Sequence, residues 1–194
     1  MKTDIILAGV GGQGILSIAT VIGSAALQQG LHLKQAEVHG MSQRGGDVQS
    51  NLRLSSDTIY SDLIPRGGAD LIVSLEPMEA LRYLPYLAEG GWIITNTAPF
   101  VNIPNYPDME KVKAELDRLP HVVALDVDAV AKELGSPRGA NMVLLGAMAA
   151  VLHILEPEAL REGIRRIFAR KGEVIVENNI KAFDAGLAFS HNRQ

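Results

Sequence analysis

The chain has 194 residues, 47% of them hydrophobic and 21% charged, with a net charge of -4 and a pI near 5.7. That suits one globular domain over residues 1–194, and with no run of like charge it argues against nucleic acid or an anionic membrane as a partner. Cysteine is absent, which excludes disulfides, thiolate nucleophiles, zinc–thiolate sites and cysteine-ligated iron–sulfur clusters.

In chain order, Thr3–Ala8 reads as a strand buried on both faces. The run Gly9-Val10-Gly11-Gly12-Gln13-Gly14 follows, and Gly9, Gly11 and Gly14 fit the G-x-G-x-x-G spacing. Ile15–Gln29 has helical periodicity, with Gly30 as its carboxyl-terminal cap. Glycines at a strand-to-helix turn let the backbone bend tightly and approach a ligand, and the helix presents free N–H groups to an anion. The context points to a nucleotide or phosphate site; the rival reading is a tight turn with no ligand. No secretory signal is legible, so the cytoplasm is the expected compartment.

Leu31–Val38 is a second predicted strand, and Glu37 stands where a dinucleotide fold needs an acidic residue for a ribose hydroxyl. His39–Gly46 is a loop with three glycines and one guanidinium, Arg44. His39, Ser42 and Gln43 add polar groups to it; equally, Arg44 could pair with Glu37 or Asp47 and only shape the loop. Asp47–Leu54 reads as a strand with Val48, Ser50, Leu52 and Leu54 on one face. Ser55–Asp57 reads as a turn, and Thr58–Ile64 as the returning partner of a hairpin. A standard dinucleotide fold would place a helical crossover there.

Asp70–Leu75 is the next buried strand. Pro77 opens a helix expected to run to about Ala88 and to stop at Gly90-Gly91. Trp92–Asn96 is a strand and residues 97–110 an ordered surface loop. A short helix over Val112–Leu119, a strand over His121–Val127 and a helix from Asp128 to Leu134 follow. Ala140–Leu155 is an apolar helix; its longest run, Met142–Leu152, is too short to span a bilayer. Pro157–Ala169 is amphipathic, and Val176–Phe189 is the last helix. Arg161, Arg165, Arg166, Arg170 and Lys171 form a basic face, read as solvated or paired with Glu158 and Glu162. Asp126 and Asp128 read as a strand end and a helix cap rather than a metal site. The order implies an α/β, Rossmann-like, open and mostly parallel sheet with a β-hairpin insertion and a helical carboxyl-terminal part.

The two loops together, Gly9–Ile15 and Glu37–Gly46, resemble those of the 2-oxoacid:ferredoxin oxidoreductases, in their gamma-type domain. The resemblance extends over most of the chain, including Asp70–Pro77. It implies an oxidative decarboxylation in which a 2-oxoacid and coenzyme A give an acyl-CoA and carbon dioxide, with electrons passing to ferredoxin. Its closeness favours aryl 2-oxoacids such as indolepyruvate. It also implies that thiamine diphosphate and the iron–sulfur clusters lie on a larger partner subunit. The lack of cysteine and of a Gly-Asp-Gly upstream of Asn178-Asn179 agrees with that division. The chain would bind no cofactor by itself and would not act alone. The candidate binding set is Gly9, Gly11, Gly12, Gln13, Gly14, His39, Ser42, Gln43 and Arg44, with coenzyme A as the possible ligand. The pairing of a helix N-terminus with a guanidinium motivates that placement. No catalytic or metal-binding residue is assigned. Two rivals stand beside this reading: a self-sufficient NAD(P)-binding Rossmann dehydrogenase that uses Glu37, and a non-catalytic scaffold subunit.

Overall fold

The structure, a computed structural model, describes residues 1–39 and 45–192, with the backbone alone at His39. Strand β1 (Lys2–Val10) lies inside a six-stranded sheet of order β2-β3-β1-β4-β5-β6. The others are β2 (His32–His39), β3 (Asp47–Ser55), β4 (Ala69–Ser74), β5 (Leu87–Asn96) and β6 (Val122–Leu125). β1, β4, β5 and β6 are parallel to one another, while β3 runs antiparallel to both of its neighbours. The helices are α1 (Ile15–Gln28), α2 (Pro77–Arg82), α3 (Met109–Asp117), α4 (Val127–Glu133), α5 (Ala140–Ala149), α6 (Pro157–Phe168) and α7 (Glu173–His191).

Strand alternation sorts the core into two layers. Ile5, Leu7, Leu71, Val73, Ile94, Val123 and Leu125 face α1, α4, α5, α6 and α7. Ile6, Ala8, Ile72 and Ile93 face α2, α3 and the buried Ile64. No helix among the described residues is long and apolar enough to cross a membrane.

Several elements differ from their sequence-based expectation. Thr58–Ile64 is not a strand. The hairpin partner of β3 is β2, and residues 58–64 run as irregular chain past the amino-terminal edge of the sheet. Arg53 explains this. It pairs with the buried Asp4 through Nε (2.8 Å) and Nη2 (2.9 Å), and its Nη1 donates to the carbonyls of Ser61 and Leu63. Asn51 Oδ1 accepts from Ile64 N–H. With side chains filling those carbonyls and that amide, the segment needs no ladder. The helix from Pro77 stops at Arg82 because Pro85 has no N–H and its ring would strike the preceding turn. Gly90 and Gly91 therefore lie within β5 and end no helix. α5 stops at Ala149; Val151, Leu152, Ile154 and Leu155 stay buried in a turn before Pro157, a pattern that periodicity cannot tell from helix.

α5 and α7 cross at van der Waals distance. A Cβ added at Gly146 would lie 1.9 Å from the Phe183 carbonyl oxygen, and one at Gly186 would lie 1.9 Å from that of Val143. Both contacts are with helix backbone, so neither can be relieved by a rotamer change. Gly186→Ala is expected to cost at least about 2 kcal/mol of unfolding free energy, at the upper part of the range for overpacked cores. Urea titration of the variant checks this; a loss below about 0.5 kcal/mol would contradict the packing described.

Candidate functional site

The carboxyl-terminal ends of β1, β4 and β5 carry the glycine loop, the Leu75-Glu76 corner and the 97–108 loop. Between them and the segment before α5 lies a cleft of about 530 Å³, lined by Gly12, Gln13, Gly14, Asn96, Phe100, Asp128, Arg138 and Asn141 among others. The crevice stands at the β1/β4 boundary. There the chain order reverses across the sheet, which is where open α/β sheets hold ligands.

The glycine loop is shaped by its own residues. Gly12 (φ 103°) and Gly14 (φ 82°) both take left-handed conformations that favour glycine. A Cβ at Gly14 would also lie 2.9 Å from Asn141 Nδ2, which donates to the Gly14 carbonyl at 3.2 Å. Gln13 turns inward. Its Oε1 accepts from Val10 N–H (2.8 Å) and its Nε2 donates to the Leu75 carbonyl (3.1 Å), so the side-chain amide is committed at both ends. Gly11 N–H donates to the Gly46 carbonyl at 2.9 Å. The groups left toward the cleft are the backbone of Gly12 and Gly14 and the first turn of α1, which no side chain caps. Arg138 brings a guanidinium to the rim.

A second amide completes the floor. Asn96, 1% exposed, donates through Nδ2 to Asp128 Oδ2 (2.9 Å) and to the Leu75 carbonyl (3.4 Å). Its Oδ1 accepts from Ala98 N–H and Val127 N–H. Asn141 Oδ1 is buried without a partner among the described residues.

The 97–108 loop is pinned from below. Glu76, fully buried, accepts through Oε1 from Phe100 N–H (3.3 Å) and from the Tyr106 hydroxyl, and through Oε2 from Glu79 N–H (2.9 Å), which caps α2. Asn102 Nδ2 donates to the Gly45 carbonyl at 2.6 Å. The glycine loop, the end of the second loop and the 97–108 loop are therefore one hydrogen-bonded unit.

Of the candidate residues, Gly9, Gly11, Gly12, Gln13 and Gly14 come together here. Ser42, Gln43, Arg44 and the His39 side chain lie outside the described residues. The ends of their loop are fixed nonetheless: β2 finishes beside β3 at His39↔Val48, and Gly46 touches Gly11. Glu37 is displaced from the position a dinucleotide needs. β3 is inserted between β1 and β2, which sets Glu37 two strand spacings, about 10 Å, from β1. Its Oε1 accepts from Gln35 Nε2 at 2.7 Å. That geometry removes the basis for ribose recognition in the dehydrogenase reading. Asn96, Asp128, Arg138 and Asn141 were not legible as site residues, because they come from segments 80 to 130 residues away with no motif of their own. The basic face of α6 is structural: Arg161, Arg165 and Arg166 pair with Glu158 and Glu162, and Arg161 also with Asp184. Among the described residues no group of three His, Asp or Glu side chains is placed to hold a metal.

A family model described as pyruvate ferredoxin/flavodoxin oxidoreductase matches residues 4–189. The chain is 39% identical over 193 residues to the indolepyruvate oxidoreductase subunit IorB of Pyrococcus horikoshii, covering 95% of this chain and 94% of that protein. The gamma subunit of a keto/oxoacid ferredoxin oxidoreductase from Geobacter sulfurreducens superposes with a TM-score of 0.71 at 26% identity, covering 98% and 99% of the two chains. In fold alone, the chain matches 31% of a chain of the 2-oxoglutarate:ferredoxin oxidoreductase of Magnetococcus marinus. That match covers 98% of this chain, with a TM-score of 0.76 and 24% identity, and the enzyme was solved with 2-oxoglutarate, coenzyme A and succinyl-CoA bound.

The pinned loop makes a prediction about alkali. Burial, followed by the neighbouring carboxylates Glu79 and Asp47, pushes the Tyr83 hydroxyl up to about 12. Burial and the hydrogen bond to Glu76 push that of Tyr106 up as well. A tyrosine that holds its proton more tightly when folded stabilises the fold fully below its unfolded pKa of about 10, and that stability is lost as pH rises through the folded value. The chain is expected to unfold between about pH 10 and 12, with tyrosinate absorbance at 295 nm rising together with loss of helical circular dichroism. Ionisation of every tyrosine near pH 10 with the fold intact would contradict this.

Proposed function

The chain belongs to the pyruvate ferredoxin/flavodoxin oxidoreductase family, and we propose that it is the smaller subunit of a 2-oxoacid:ferredoxin oxidoreductase acting on indolepyruvate or another arylpyruvate. In that reaction the carbon–carbon bond to the carboxylate breaks and carbon dioxide leaves. The acyl carbon forms a thioester with coenzyme A, and the electrons released pass to ferredoxin. We assign the iron–sulfur clusters and thiamine diphosphate to the larger subunit; the lack of cysteine in this chain supports that assignment for the clusters. Thiamine diphosphate supplies the carbanion-stabilising chemistry when bound there.

The observation that carries this chain's part is the cleft at the carboxyl-terminal edge. Its backbone at Gly12 and Gly14, the uncapped first turn of α1 and the Arg138 guanidinium present donors and positive charge to one space. That chemistry suits the diphosphate of coenzyme A. Arg44 is the proposed second cation, since Gly46 ties the end of its loop to Gly11. Gln13 positions the loop; Gly9, His39, Ser42 and Gln43 remain proposed members of the surround. The cytoplasm is the proposed compartment.

The internal bonds of Gln13 and Gly11 favour a second reading, in which the chain scaffolds the complex and coenzyme A is held elsewhere. The experiment separates the two. The chain is produced together with the thiamine-bearing subunit, and indolepyruvate- and coenzyme A-dependent reduction of ferredoxin is measured. Activity is expected of the pair and not of this chain alone. Coenzyme A is then titrated against the wild-type complex and against Arg44→Ala and Arg138→Ala. Each variant is expected to weaken binding about tenfold, the size of one lost charge-assisted hydrogen bond. Unchanged affinity in both would support the scaffold reading; an inactive wild-type pair would overturn the functional one.

A further inference from the structure

We propose that the tip of the 97–108 loop, Phe100 and Val101, is the surface on which the larger, thiamine-bearing subunit docks, and that buried Glu76 holds the tip in its docking pose. The proposal rests on reading this chain as a subunit whose carbon and redox chemistry lies on its partner.

The tip is apolar and exposed, Phe100 by 43% and Val101 by 67%, yet it is firmly held. Glu76 accepts from the Phe100 N–H and the Tyr106 hydroxyl, Asn96 Oδ1 accepts from Ala98 N–H, and Asn102 donates to Gly45. Burying a carboxylate is costly, and a helix cap does not require it. α3 and α4 are capped by the exposed Asp108 and Asp126. At α2 the cap is a fully buried glutamate whose second oxygen reaches the loop. Val101 is 67% exposed, so its own packing does not account for that rigidity. A preordered apolar tip lowers the ordering cost of association instead.

Position selects the occupant. Phe100 also lines the cleft with Gly12 and Gly14. A thiol-bearing ligand held there forms its thioester on the partner, so the partner must cover the mouth of the cleft, where the tip stands. It should present an apolar concavity to Val101. Of the other exposed apolar residues among those described, Tyr60 and Leu63 lie at the amino-terminal edge of the sheet and Val174 and Ile175 at the start of α7; none of these four lines the cleft.

The test uses the two subunits together. Val101→Asp is expected to weaken their association at least tenfold, as for a charge buried in an apolar interface centre, with an unchanged melting temperature of the isolated chain. Leu63→Asp is expected to leave association within about twofold of wild type. Tyr106→Phe should raise hydrogen exchange over residues 97–106 and weaken association by less than Val101→Asp does. Wild-type association of the Val101→Asp chain, or disruption by Leu63→Asp alone, overturns the proposal. A wild-type pair that does not associate overturns the subunit reading beneath it.

Discussion

The Leu75 carbonyl is the point on which the candidate site depends. It receives Gln13 Nε2 from one side and Asn96 Nδ2 from the other, and so joins the ends of β1, β4 and β5 into one rigid edge. The Leu75 N–H extends the same join by donating to the Ala8 carbonyl. Where strands end, their backbone groups lose ladder partners and must find others. Here two side-chain amides supply them. The strand ends therefore hold a fixed shape before any ligand or partner arrives, which is what a site assembled from loops requires. Glu76, next in the chain, extends that order outward to the 97–108 loop, and Asn102 extends it to the end of the second loop.

This arrangement explains why a glycine-rich fingerprint need not mean a dinucleotide. In a dinucleotide fold the strand after the first helix lies beside β1, so its terminal carboxylate reaches the ribose. Here β3 occupies that place, antiparallel to β1, and β2 is moved to the edge of the sheet. The pyrophosphate end of the motif survives while the ribose end is lost. The remaining donors are the ones proposed to hold the diphosphate of coenzyme A.

Much of the fold is legible in the amino-acid sequence because it is written in short-range patterns. The doubly buried strands Ile5–Ala8 and Leu71–Val73 read as apolar runs, the glycine turn reads from its spacing, and α6 reads from its ion pairs. The early end of α2 is local, set by Pro85; in the other errors the deciding interaction is long-range. Arg53 draws Ser61 and Leu63 out of strand geometry across the edge of the sheet. α5 ends early because tertiary burial, not helix, accommodates Val151–Leu155. The site divides the same way. Gly9–Gly14 is local and legible, whereas Asn96, Asp128, Arg138 and Asn141 meet it only through folding. The inward turn of Gln13 depends on a carbonyl 62 residues away, which no local pattern records.

The central claim is that the carboxyl-terminal edge of this sheet is the face turned to coenzyme A within the assembled enzyme. Hydrogen exchange of the intact two-subunit complex, with and without saturating coenzyme A, tests it most directly. The account predicts slowed exchange confined to residues 11–17 and 97–102 of this chain. Exchange unchanged in both segments, with coenzyme A bound to the complex, would contradict it.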